Sequence, residues 1–116
     1  MSIYIPAVID ARKPGFLGKG KKVRGGSVRL APGESVGEHS TIEGEEFILV
    51  LEGKARITIQ NHAEPIYLQK DHCLFIPQNT IHNVQNDTNE ALIYVYFVGG
   101  KKEKKKENNA PMKEAS

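Results

Sequence analysis

The sequence predicts an all-β fold, either a sandwich or a small barrel, and three observations predict it. Apolar and polar residues alternate in short runs, turn residues separate those runs at near-regular intervals, and no stretch sustains a 3.6-residue period. With 116 residues and 12.9 kDa, one domain is the expectation. That domain divides into a lead-in over residues 1–22, a barrel over 23–98 and a lysine-rich, disordered tail over 99–116.

The lead-in carries turn signals at Lys13-Pro14-Gly15 and Gly18-Lys19-Gly20. In the barrel, Val28 and Leu30 alternate with Ser27 and Arg29 up to Pro32-Gly33. A second run spans Glu45 to Glu52 and stops at Gly53. Ala55, Ile57 and Ile59 alternate with Arg56, Thr58 and Gln60, and the polar stretch from Asn61 to Glu64 ends that run. Ile66 to Leu68 is short and meets Lys70-Asp71. Cys73 to Ile76 runs into Pro77, and Gln78-Asn79-Thr80 turns the chain again. Ile81 to Gln85 and Ala91 to Val98 close the series. Two runs are apolar on both faces, Phe47 to Leu51 and Leu92 to Phe97. One face lies inside a small barrel, so the other needs cover of its own, and a homodimer is the expected source.

Charge and cysteine content narrow the classes. The net charge is +2, but the tail after Gly100 holds six lysines against Glu103, Glu107 and Glu114, which leaves residues 1–100 with one negative charge. A nucleic-acid-binding core is not indicated. Seven basic and no acidic residues lie from Ala11 to Gly33, and six glutamates with no basic residue from Glu34 to Glu52. Such blocks pair within the fold or across a dimer. Cys73 is the one cysteine, which excludes an intrachain disulfide and a cysteine-rich zinc module; it is expected as a small buried apolar residue. No apolar run approaches a bilayer span, and the apolar start precedes its basic residues, the reverse of a signal peptide. No membrane association and a cytoplasmic location are expected.

Four histidines are available. His62 and His72 stand in polar turns and read as exposed turn residues. His39 and His82 differ, because Glu46 shares strand parity with Ile48 and Val50, and His82 with Val84. Each would face an apolar interior, where a bound cation relieves the cost of a buried charge. Two imidazoles and a carboxylate suit a divalent metal with open positions for water or ligand. By spacing alone, a metal site and a purely structural reading stay equally open.

The stretch GESVGEHSTIEGEEFILVLEG, residues 33–53, resembles the first motif of the cupin superfamily, matching at Gly33, His39, Glu46 and Gly53. PQNTIHNVQN resembles the second, matching at Pro77, His82 and Asn86, with Asn79 where the family has glycine. Asparagine is the residue that best replaces glycine in a left-handed turn. The resemblance implies a jelly-roll barrel (a double-stranded β-helix) with a metal site of His39, Glu46 and His82. The family's second motif histidine is Thr41 here, a poor ligand for a transition metal. Glu43 or Glu45 could substitute, although Glu45 has the wrong strand parity. The metal would be Zn, Fe, Mn or Ni.

Two functions follow. One is a metal-dependent enzyme of dioxygenase, decarboxylase, isomerase or lyase type acting on a small oxygenated metabolite. The other is a metal-free module that binds a sugar or organic acid without catalysis; a scaffolding dimer with a basic tail is a third reading. No general base stands beside the proposed ligands, and Phe75, Tyr94 and Tyr96 read as core or interface groups.

Overall fold

The computed structural model describes residues 10–12, 14–20 and 22–100; the tail beyond Gly100 lies outside them. Eight strands and no helix occur among these residues. They are β1 (Gly15–Lys19), β2 (Val23–Leu30), β3 (Glu45–Glu52), β4 (Lys54–Ile59), β5 (Ile66–Gln69), β6 (Cys73–Ile76), β7 (His82–Gln85) and β8 (Leu92–Gly99). All pairings are antiparallel. One sheet has the order β1-β2-β8-β3-β6 and the other β5-β4-β7. The chain leaving β2 then runs beside β7, bridging Ser35 to Gln85 and His39 to His82, and so widens the smaller sheet.

The alternation in the sequence is the alternation of faces. On β3, Glu46, Ile48 and Val50 point inward and are buried, and on β8 Leu92, Tyr94 and Val98 do the same. From the smaller sheet, Ala55, Ile57, Leu68 and Val84 meet them across the core. Burying an aliphatic side chain of this size contributes about 1.5–3 kcal/mol, so this two-sheet contact is the main source of stability.

Two features lay outside the strand pattern of the sequence. Gly15–Lys19 carries turn residues, yet it pairs with β2 as the edge strand of the larger sheet, with an irregularity between Phe16 and Gly18. Cys73 is exposed rather than buried. It pairs with Leu49 on the outward register, because Leu74 and Ile76 take the inward positions of this short strand. A run of four apolar residues has no alternation from which to read its phase.

The turns are held by particular residues. Gly53 alone separates β3 from β4, with φ +84°, and a Cβ there would come 2.4 Å from the Ala91 carbonyl oxygen. Gly33 is also left-handed, at φ +86°. Asn86 is buried and joins three segments. Its amide donates to Leu30 O (3.0 Å) and Glu90 O (2.7 Å), and its Oδ1 accepts from Thr88 N (3.0 Å) and Thr88 Oγ1 (2.8 Å). The charge blocks pair in part within the chain, since Arg12 and Glu52 form a bridge at 2.8 Å. Both groups are half exposed, so the pair adds little stability.

Gly53→Ala combines a left-handed backbone with a backbone clash and should cost on the order of 2–4 kcal/mol in urea unfolding. Asn86→Ala orphans the carbonyls it serves and should cost about 2–4 kcal/mol in the same measurement. A loss below about 0.5 kcal/mol for either variant would contradict the role given to that residue.

Candidate metal centre

The two sheets deliver different parts of the site. His39 and His82 are directly opposite each other in the widened smaller sheet. His39 N donates to His82 O (3.0 Å) and His82 N donates to His39 O (2.9 Å). Residues paired in this way present their side chains on one face. The two imidazole centroids are accordingly 4.4 Å apart, tilted at 58°. Glu46 comes from the larger sheet, flanked by Ile76 on β6 and Val98 on β8.

Each histidine is oriented by the carbonyl two residues before it. His39 Nδ1–H donates to Gly37 O (2.8 Å), and His82 Nδ1–H donates to Thr80 O (2.9 Å). A carbonyl can only accept, so both Nδ1 atoms carry hydrogen, and in the neutral ring Nε2 presents its lone pair. Gly37 is itself held, because its N–H donates to Asn83 Oδ1 (2.8 Å). The ligand atoms offered by His39, Glu46 and His82 all lie within 4.8 Å of one another, and all three residues are buried.

This geometry demands positive charge. His82 Nε2 lies 3.1 Å from Glu46 Oε1, with both side chains fully buried. Apart from this contact, neither Glu46 oxygen has a hydrogen-bond partner among the described residues. A lone pair facing a carboxylate in an apolar interior is repulsive and unsolvated. A proton or a metal ion between them removes the conflict. Burial pushes the His82 pKa down, but the Glu46 carboxylate and the Thr80 carbonyl outweigh it and hold the value above 6.5. The same carboxylate adds to burial in raising the Tyr94 phenol far above its ordinary range.

The three residues singled out in the sequence therefore converge. Thr41 is absent from the group, since its hydroxyl donates to Gly44 O (2.8 Å) and closes a turn. Glu45 faces outward and is exposed, as its parity requires, and Glu43 stands in the turn after Thr41. His62 and His72 are exposed turn residues. Asn79 adopts φ +58°, the left-handed conformation expected of it. Sequence reasoning missed Gly37, Thr80 and Asn83. The first two act through backbone carbonyls, which leave no side-chain signature, and Asn83 reads as an ordinary strand residue.

Comparison with known proteins identifies the family and the fold. The family described as "Cupin domain" matches residues 26–98. A curated relative, the tetracenomycin polyketide synthase protein TcmJ of Streptomyces glaucescens, is 31% identical over 73 residues, 63% of this chain and 48% of that protein. The chain thus matches about half the length of that relative. Among solved structures, the Cnp3 cupin domain of Schizosaccharomyces pombe superposes with a TM-score of 0.69 at 19% identity, covering 76% of this chain and 64% of that one. A cupin superfamily protein of Desulfitobacterium hafniense gives a TM-score of 0.66 at 24% identity, covering 82% and 83%. At these identities the structures share the fold. No helix among the described residues is long and apolar enough to cross a membrane.

Because the folded chain binds the His82 proton more tightly than the unfolded chain, protonation stabilises the fold. That contribution is complete below 6.5 and is lost as pH rises through the raised value. The thermal midpoint of chelator-treated protein should fall as pH rises from about 6 to about 9, and His82→Gln should flatten the profile. A parent midpoint that is level or rising over that range would contradict the buried pair.

Proposed function

Since the chain belongs to the cupin domain family, we propose that it binds one divalent metal ion through His39, Glu46 and His82 and binds or acts on a small oxygenated metabolite in the cytoplasm. The observation that carries this reading is the buried Glu46 carboxylate, whose near partners are the imidazoles of the opposite sheet. Nitrogen and oxygen donors of this kind suit zinc, iron, manganese or nickel.

A bound metal would act as a Lewis acid on an oxygen of the ligand, or as the redox centre if it is iron. The chain's own residues supply the rest. The carbonyls of Gly37 and Thr80 hold the imidazoles in register and make each ring more basic. Glu46 supplies negative charge that favours a divalent ion over a proton. Ile76 and Val98 flank that carboxylate, and Ile59 pairs with His82, so the ligand side is kept dry. Three protein groups leave coordination positions open, the shared requirement of dioxygenase, decarboxylase, isomerase and lyase chemistry. The match to a polyketide synthase protein supports an oxygenated organic ligand.

The hydrogen bond of Thr41 to Gly44 O favours a second reading, in which the reduced ligand set holds no metal and the barrel is a non-catalytic sugar or organic-acid module. Elemental analysis of protein purified without a histidine tag separates the two. About one equivalent of metal per chain is expected in the parent, with at least a tenfold loss in His39→Ala and Glu46→Gln. Less than about a tenth of an equivalent in the parent, even after dialysis against each of the four metals, would overturn the metal reading in favour of the second.

A further inference from the structure

We infer that Arg24 and the Tyr96 hydroxyl form a carboxylate-binding subsite beside the metal centre, so that the ligand of this barrel is a small organic acid and not a neutral sugar. The inference deepens the proposed function and rests on its metal reading for the ligand's second contact. A single rung of the larger sheet links the two regions. Arg24 on β2 pairs with Val98 on β8, Val98 with Glu46 on β3, and Glu46 with Ile76 on β6. Paired residues of neighbouring strands share a face, so Arg24 stands on the inner face with Glu46, one strand away. Two strand spacings put their backbones about 10 Å apart. On the inner register of β2, β8, β3 and β6, Arg24 and Glu46 are the charged residues. Arg24 is half-buried. A guanidinium partly withdrawn from water binds a carboxylate more strongly than one on the open surface, and its fork of N–H donors matches both carboxylate oxygens. Such a fork has donors enough to serve the chain and a ligand together.

Tyr96 supplies the second donor. It stands one inner rung along, paired with Gly26 on β2 and Ile48 on β3. A Cβ on Gly26 would come 2.7 Å from the Tyr96 hydroxyl and 2.8 Å from its Cε1 and Cζ. The ring therefore leans over β2, and its hydroxyl occupies the space that the missing side chain leaves, two residues from Arg24 on the same face. Tyr96 is half-buried, whereas Tyr94 on the following rung is fully buried in the core. Charge balance then chooses the ligand class. Imidazoles bind a metal in their neutral form, so a divalent ion held by His39, Glu46 and His82 meets a single carboxylate and keeps excess positive charge. Arg24 adds to that charge from across Val98. Ile76, Val98 and Ile59 lie beside these groups, and apolar surroundings strengthen the pull on an anion. A neutral sugar would leave both cations without a counter-ion. An acid with its carboxylate on Arg24 and a further oxygen toward the metal satisfies both, and the single strand between them restricts such an acid to a few carbons.

Titration calorimetry on zinc-loaded protein tests the subsite, with malonate, succinate and glutarate as probes and their diamides as uncharged controls. At least one diacid should bind roughly tenfold more tightly than its diamide. Arg24→Gln should weaken that diacid roughly tenfold, with zinc content and thermal midpoint near those of the parent. Tyr96→Phe should weaken it about threefold and gives the same comparison should Arg24→Gln fail to fold. Arg29→Gln, at an exposed outward position of the same strand, should leave the affinity unchanged. A zinc-loaded parent that binds no diacid better than its diamide would overturn the inference. So would a diacid affinity indifferent to Arg24, or one lost equally in Arg29→Gln. A parent that retains none of the four metals defeats the metal reading alone. The same titrations on the metal-free chain then decide the subsite, which dependence on Arg24 upholds and indifference to Arg24 overturns.

Discussion

A carboxylate and an imidazole, both cut off from water and 3.1 Å apart, impose the central constraint on this molecule. Glu46 and His82 belong to different sheets, so their approach is a property of the whole barrel and not of any local turn. Without a positive charge between them the two sheets would be pushed apart at the point where they converge. With one, the same atoms become a cross-link between sheets. Hydrophobic burial of Ile48, Val50, Ile57 and Val84 stabilises the fold without direction, whereas the charged cluster specifies how the two layers meet.

The histidines illustrate how a backbone arrangement produces a chemical one. Reciprocal hydrogen bonds between His39 and His82 put both rings on one face, and a carbonyl two residues upstream turns each ring the same way. No long-range side-chain contact is needed to orient them. The long-range element is Glu46, and its neighbours Ile76 and Val98 make it costly to leave that carboxylate without a cation.

Much of this was legible in the sequence, for a physical reason. Where one face of a strand is buried and the other wet, the period of two is written into residue order, and Glu46 could be assigned to the inner face with Ile48 and Val50. The three candidate ligands stand out in the sequence because Glu46 and His82 fall on apolar faces and all three stand at the intervals of the two motifs. Legibility ends where alternation ends. β1 holds just Phe16 and Leu17 between glycines and gains its strand state from pairing with β2, so no alternating pattern announces it. Cys73 to Ile76 is apolar throughout, which conceals its phase and led to the cysteine being placed inside. Gly37 and Thr80 act through carbonyl oxygens that every residue possesses, so their part in the site depends on position alone.

Thr41 shows how one residue can shape the site without joining it. The chain must pass from the smaller sheet, which holds His39, to the larger, which holds Glu46, within a few residues. The Thr41 hydroxyl closes that passage on Gly44 O, Ile42 N donates to Ser40 Oγ, and Ile42 O accepts from Asn79 N. Ile42 sits in the left-handed region at φ +62°, a conformation costly for a β-branched residue. That strain is offset by the three hydrogen bonds around it, which fix the separation of the histidine strip from the glutamate strand. A histidine at position 41 would add a donor group but remove the hydroxyl that closes the turn. The threonine therefore exchanges a coordinating group for a firmer crossing between the sheets, and it leaves the cluster with three donor residues.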